Sequence, residues 1–86
     1  MPRVRLSGSV QQQVGGLSTV EVAGDTVGAA IRALEGAYPS VRGWIVDERG
    51  MLRRHVKLFR GGVAIALDER IHANDELHIV AAISGG

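Results

Sequence analysis

One segment of this 86-residue sequence has the spacing of an amphipathic helix, and it stands between segments that alternate like β-strands. Its apolar residues recur at i, i+3, i+4 and i+7, as Val27, Ala30, Ile31 and Leu34. Asp25 or Thr26 can cap its first turn. We expect the helix to end near residues 36–38, because Pro39 disfavours helical backbone at the residue before it. A single helix of this kind packs on one face of a sheet.

The strands are indicated by alternation of apolar and polar residues with a period of two. The alternating segments are residues 3–7, 18–23, 54–60, 63–67 and 77–82. Turn residues separate them, including Gly61-Gly62 and Asn74-Asp75. The pattern predicts an α+β fold with a mixed sheet of four to five strands and one main helix packed on one face. We expect residues 1–82 to form this domain and residues 83–86 to form a flexible tail.

Composition excludes several classes of function. The chain has no cysteine, which rules out disulfides, thiolate nucleophiles and cysteine-based metal sites. Its net charge of +1 predicts no nucleic-acid partner and no attraction to a membrane surface. His55, His72 and His78 are scattered without metal-ligand spacing, so no metal site is expected. The N-terminus lacks the apolar core of a signal peptide and no run approaches a membrane span, so we expect a cytoplasmic protein.

The pair Gly85-Gly86 carries the most chemical information. A carboxylate becomes electrophilic once it is adenylated with ATP. Glycines have no Cβ, so a chain that ends in them can enter a narrow channel of the adenylating enzyme. The five residues from Ala82 to Gly86 can reach roughly 17 Å when extended. We therefore expect Gly86 to be the reactive residue, with Gly85 and Ser84 needed for passage. Acids lie mostly in predicted turns and no nucleophile elbow is present, so the residues give no support for acid–base or nucleophilic catalysis within the chain itself.

The segment 75–86, read Asp-Glu-Leu-His-Ile-Val-Ala-Ala-Ile-Ser-Gly-Gly, resembles the end of the ThiS/MoaD sulfur carriers. It also resembles the end of mature ubiquitin, where Leu-His-Leu-Val stands in place of residues 77–80. Residues 24–34 and 38–41 resemble the start and end of the family's helix. The resemblance covers essentially the whole chain and implies a ubiquitin-like β-grasp fold.

The resemblance also implies a cycle. A ThiF/MoeB-like enzyme would use ATP to adenylate Gly86, and a sulfur donor would convert the adenylate to a thiocarboxylate. A biosynthetic enzyme would accept the sulfur: cysteine synthase, thiazole synthase or the large subunit of molybdopterin synthase. The resemblance thus implies a protein cosubstrate and not an enzyme, and the carrier would bind no cofactor itself. Two alternatives remain open, namely a ubiquitin-like modifier joined to lysines through Gly86 and a non-reactive binding subunit of a molybdopterin-synthase-like complex.

Departures from the family pattern bear on the pathway. Ala81-Ala82 stand where molybdopterin-branch members often have Pro-Pro, and Arg60-Gly61-Gly62 replaces a common Asn-Gly turn. Residues 44–55 form a longer segment than in the shortest thiamine-branch carriers. This length is similar to that of carriers serving cysteine or molybdopterin synthesis, and we favour the cysteine type.

Alternation also predicts a docking face for a partner. If Leu77 and Ile79 face the helix, then His78 and Val80 face away, and Phe59 joins them from the neighbouring strand. With Ile83 at the base of the tail, these residues would form a small apolar patch, which often marks a contact site. We expect Lys57 and Arg60 to rim it.

A basic stretch runs through residues 49–60 and has two interpretations. It could bind an acidic partner or a nucleotide, or it could be a solvated strand face and loop, which is the interpretation we favour. Its cationic residues are Arg49, Arg53, Arg54, Lys57 and Arg60.

Overall fold

The computed structural model describes residues 1–81. The predicted tail, residues 83–86, lies outside this range, as does Ala82 at the predicted domain boundary. The elements in chain order are β1 (Arg3–Gly8), α1 (Ser9–Gln12), β2 (Thr19–Glu21), α2 (Val27–Ala37), a 3-10 turn (Pro39–Val41), β3 (Val56–Arg60), β4 (Val63–Ala64) and β5 (Glu76–Ala81).

The strands form one five-stranded sheet in the order β2-β1-β5-β3-β4. Strands β1 and β5 are parallel, whereas the β1–β2, β3–β5 and β3–β4 pairs are antiparallel. The predicted mixed sheet with one main helix on one face is therefore confirmed. Its central strand is β5, which places the last described residue, Ala81, between two neighbours.

Helix α2 forms where its apolar stripe and its cap predict it. The Thr26 Oγ1 accepts a hydrogen bond from the Ala29 N–H at 3.1 Å, so Thr26 and not Asp25 is the N-cap. The N–H groups of Val27 and Gly28 have no partner within the helix and donate instead to the carbonyls of Glu69 and Leu67. The chain before β5 is thereby fastened to the start of the helix.

The core lies between α2 and the inner face of the sheet. Helix α2 contributes Val27, Ala30, Ile31 and Leu34, all 1% exposed or less. The sheet contributes inward residues of three strands, β1, β3 and β5, and no polar side chain of residues 1–81 is buried with them. The buried sheet residues are Val4, Leu6, Val56, Leu58, Leu77, Ile79 and Ala81.

Two local predictions differ from the structure. The connection after β1, expected to be a loose loop, begins with the short helix α1, whose one buried residue is Val10. One apolar residue gives no periodicity to recognise, so packing against the core decides this helix. The strand expected over residues 63–67 ends at Ala64. The chain leaves the sheet edge there, and the Leu67 carbonyl accepts a hydrogen bond from the Gly28 N–H at the start of α2.

Within the described part of the chain, no helix is long and apolar enough to cross a membrane.

Candidate functional site

The candidate site begins at the end of β5, the last strand that the structure describes. Ala81 is fully buried and pairs with Gly8 on β1 and with Val56 on β3. The chain therefore departs from a position held on both sides by the sheet. The predicted reactive residue Gly86, the passage residues Gly85 and Ser84, and the docking residue Ile83 lie outside the described residues.

Gly8 is a residue of this site that sequence reasoning missed. Its backbone has φ 80° and ψ −149°, a conformation that is essentially restricted to glycine. A Cβ at this position would overlap the Ala81 carbonyl oxygen and lie 2.9 Å from the Ala81 carbonyl carbon. Gly8 thus permits β1 to approach β5 at the departure point. The available signal was a glycine at the end of an alternating segment.

The predicted docking residues share the outer face of the sheet, opposite α2. Phe59 lies directly across from His78, and Lys57 lies across from Val80. Phe59 and Val80 are therefore diagonal neighbours on adjacent strands, within reach of each other for a large side chain. All three of Phe59, His78 and Val80 are half-buried. They form a small, partly apolar surface next to the end of β5.

His78 is held within this face by β1. Its Nε2 lies 2.8 Å from the Ser7 Oγ, and Arg5 is its register partner on the parallel strand. With the exposed Arg5 on one side and the exposed Lys57 on the other, the apolar centre has a cationic border. Partners with carboxylates around an apolar contact fit this face.

The prediction that Arg60 rims the same patch was wrong. Arg60 lies opposite Leu77, an inward residue, and so belongs to the other side of the pleat. Its guanidinium reaches Glu69 and Asp75 at 3.4 Å each and donates to the Arg70 carbonyl at 2.8 Å. Arg60 therefore joins β3 to the loop before β5 and does not belong to the predicted docking face.

The predicted turn at residues 47–50 is organised by one carboxylate. Asp47 accepts hydrogen bonds from the N–H groups of Arg49 and Met51 at 2.9 and 3.0 Å. The Met51 N–H makes the largest contribution to a lowered pKa of Asp47, and the hydrogen bonds and charge of Arg49 add to it. Gly50 completes the turn with φ 79°.

Residues 1–81 contain no group of three or more His, Asp or Glu side chains that could hold a metal ion. His55 precedes β3, His72 follows the 66–70 loop and His78 lies in β5. The three histidines are thus dispersed over the fold, and the structure gathers no ligand set around any of them.

Comparison with known proteins gives the family. The ThiS family matches residues 4–86. Small archaeal modifier protein 1 of Haloferax volcanii is 42% identical over 77 residues, which cover 86% of this chain and 88% of that protein. Sulfur carrier protein CysO of Mycobacterium tuberculosis is 31% identical over 87 residues, covering 90% of this chain and 89% of CysO.

Solved structures of both relatives have the same fold. The crystal structure of the Haloferax volcanii protein gives a TM-score of 0.83 at 36% identity, over 99% of this chain and 98% of that one. The Mycobacterium tuberculosis CysO structure gives 0.86 at 26% identity, over 96% of this chain and 100% of that one. The match thus extends from the sheet and helix to the glycine pair, and the chain belongs to the ThiS family of small, ubiquitin-like β-grasp proteins.

Proposed function

We propose that this chain is a sulfur carrier whose reactive group is the carboxylate of Gly86. The observation that carries the proposal is the position of Gly85-Gly86. The pair lies inside the ThiS family match. Gly86 stands five positions after Ala81, the buried end of the central strand. Similarity to a protein named sulfur carrier protein CysO supports it.

The chemistry requires activation by a partner. The Gly86 carboxylate attacks the α-phosphorus of ATP, pyrophosphate leaves, and an acyl-adenylate forms. A sulfide donor then attacks the acyl carbon, AMP leaves, and the thiocarboxylate results. The thiocarboxylate sulfur then bonds to an electrophilic carbon of the acceptor enzyme's substrate, and water hydrolyses the resulting thioester, which leaves the sulfur on the product and restores the Gly86 carboxylate. The partner supplies the nucleotide site and the acceptor supplies the second substrate, so the chain acts as a cosubstrate.

The fold suits this division of labour. Five residues beyond Ala81 reach roughly 17 Å when extended, so the body can dock outside an enzyme while Gly86 reacts inside. Glycine at positions 85 and 86 leaves the narrowest part of the path free of side chains. We further propose that Phe59, His78 and Val80, with Ile83, dock against a ThiF/MoeB-like adenylating enzyme and aim the tail.

Intact-mass spectrometry tests the reactive residue. The chain is incubated with the adenylating enzyme, ATP and a sulfide source, and it should exchange one oxygen for one sulfur. A variant lacking Gly86 should gain no sulfur, whereas Ser18→Ala, an exposed change in the loop before β2, serves as the matched control. Equal sulfuration of the variant lacking Gly86 would refute the assignment.

A second function is favoured by a separate observation, the 42% identity to a protein named a small archaeal modifier. A lysine amine can attack the acyl carbon of the same acyl-adenylate, or of a thioester derived from it, so that AMP or the thiol leaves and an isopeptide bond to Gly86 forms. A tagged chain expressed in its own cells would then produce a ladder of conjugates on a denaturing gel. Removal of Gly86 should abolish the ladder.

A non-reactive binding subunit is the remaining alternative from the sequence. It predicts that removal of Gly85 and Gly86 leaves both partner binding and pathway activity intact. A sulfur carrier without Gly85 and Gly86 should still bind its partner but should lose pathway activity. Measuring partner binding and pathway activity of this variant therefore separates the two functions.

A further inference from the structure

The loop before β3 encloses a recess that the proposed function does not use. It has a volume of about 650 Å³ and carries three arginines and a histidine on its walls: Arg49, Arg53, Arg54 and His55. Met51 and Leu52 add apolar surface, and Asp47 is the one acid among the lining residues. The docking residues Phe59, His78 and Val80 do not line it.

Arg53 provides the most informative atom in this recess. Its Nε is buried and has no hydrogen-bond partner within residues 1–81. Buried polar atoms are nearly always paired, and each exception needs an explanation such as an absent ion. An unmade bond to a charged donor costs more than one to a neutral donor. Because Arg53 lines the recess, a small shift of its side chain would bring this Nε–H to an acceptor bound there.

The charges of the recess are unbalanced. Arg49 forms an ion pair with Asp47 at 3.3 Å, and Asp47 also accepts from the N–H groups of Arg49 and Met51. Among the described residues, neither Arg53 nor Arg54 forms an ion pair. Two guanidinium groups thus have no ion-pair partner within residues 1–81, although Arg53 also lines an adjoining recess with Glu35 and Glu48. Asp47, the one carboxylate that lines the recess itself, is already engaged.

We propose that this recess binds a carboxylate side chain from an acidic segment of a partner protein. A guanidinium presents parallel N–H donors that match the two oxygens of a carboxylate. Arg53 supplies the buried Nε–H, Arg54 supplies a second charge at the rim, and Met51 with Leu52 contacts the aliphatic part of the incoming residue.

The position of the recess favours a protein ligand over a nucleotide. His55 directly precedes Val56, the strand partner of Ala81, so the recess lies beside the point where the chain leaves β5. When extended, the five residues after Ala81 can reach roughly 17 Å from there, so the reacting ATP need not lie at the recess. Apart from His55, the lining has no ring on which a base could stack.

We take the partner to be the enzyme that receives the tail, and this identity rests on the proposed function. The binding of a carboxylate by the recess does not rest on it. The test therefore uses the full chain and a blocked hexapeptide of alternating Asp and Glu. Titration is followed on the arginine Nε–H resonances in nitrogen-15 NMR. The Arg53 resonance should shift and saturate, and its exchange with water should slow.

Matched variants make the result specific. Arg53→Lys keeps the charge but removes the Nε–H donor, and it should weaken peptide binding by about tenfold, the effect of losing one charge-assisted hydrogen bond. Arg54→Ala changes an exposed residue and should also weaken binding without affecting the melting temperature. Arg32→Lys, on the exposed side of α2, is the control and should bind the peptide like the parent chain.

Three results would overturn the proposal. They are an Arg53 resonance that does not respond to the peptide, an equal loss for Arg32→Lys, and binding of ATP or inorganic phosphate as tight as that of the peptide. A chain lacking Gly85 and Gly86 should bind the peptide unchanged, so failure of sulfur transfer and failure of this site are separate outcomes.

Discussion

Gly8→Ala tests whether the close approach of β1 to β5 sets up the departure point of the tail. The substitution adds one methyl group, at a residue with φ 80° and ψ −149°. Backbone strain in this glycine-only region costs about 1–3 kcal/mol. The new Cβ also overlaps the Ala81 carbonyl oxygen, a backbone atom that can move only if the strands separate.

The expected loss follows from both effects. Separating the strand ends forfeits at least one hydrogen bond, about 0.5–1.5 kcal/mol, so the total destabilisation should be about 3 kcal/mol. An 86-residue domain has roughly 4–13 kcal/mol of stability, so the variant should still fold. Urea unfolding followed by Trp44 fluorescence and circular dichroism measures the change.

Gly15→Ala is the matched control. Gly15 also has positive φ, at 71°, but a Cβ there meets no atom within 4 Å. It should therefore cost only the local strain, about 1–2 kcal/mol. Gly8→Ala should in addition reduce sulfuration of Gly86 in the folded fraction, because the end of β5 shifts. Equal destabilisation by the two variants would refute the close-approach argument.

Three further predictions concern the site. Gly85→Val should leave the melting curve unchanged and sharply reduce pyrophosphate release, because a β-branched side chain is stiff and bulky; normal release would argue against a narrow channel. Phe59→Ala should weaken binding to the adenylating enzyme by about 1–3 kcal/mol, measured by titration calorimetry, with little change in stability; the reverse pattern would assign Phe59 a structural role. The Asp47 carboxyl should titrate below its usual pKa of 3.8 in an NMR pH series. Its contribution to the stability of the fold is therefore present above that pH and is lost as the pH falls through the lowered value. In Asp47→Asn the stability should lose this acid dependence.

Local pattern was sufficient where the physical cause is local. The stripe Val27, Ala30, Ile31 and Leu34 predicts α2 because burial on one side of a helix imposes its period. The pair Asp25-Thr26 predicts a cap at this point because free N–H groups lie within reach of a local side chain, and the structure identifies Thr26 as the residue that caps. Alternation likewise placed His78 and Val80 on the outer face of β5.

Long-range pairing accounts for what the pattern did not predict. The short α1 depends on Val10 reaching the core, and β4 ends early because Leu67 bonds to the start of α2.

The sequence by itself determined α2, the alternating faces of β1, β3 and β5 and the candidate reactive Gly86, because periodicity and glycine chemistry are read along the chain. Only the tertiary structure decided that Gly8 lies against Ala81, that Arg60 joins the loop before β5, and that Arg53 buries an unpaired donor. Each of these depends on strands and loops far apart in sequence being brought together, and their spacing along the chain does not determine that arrangement.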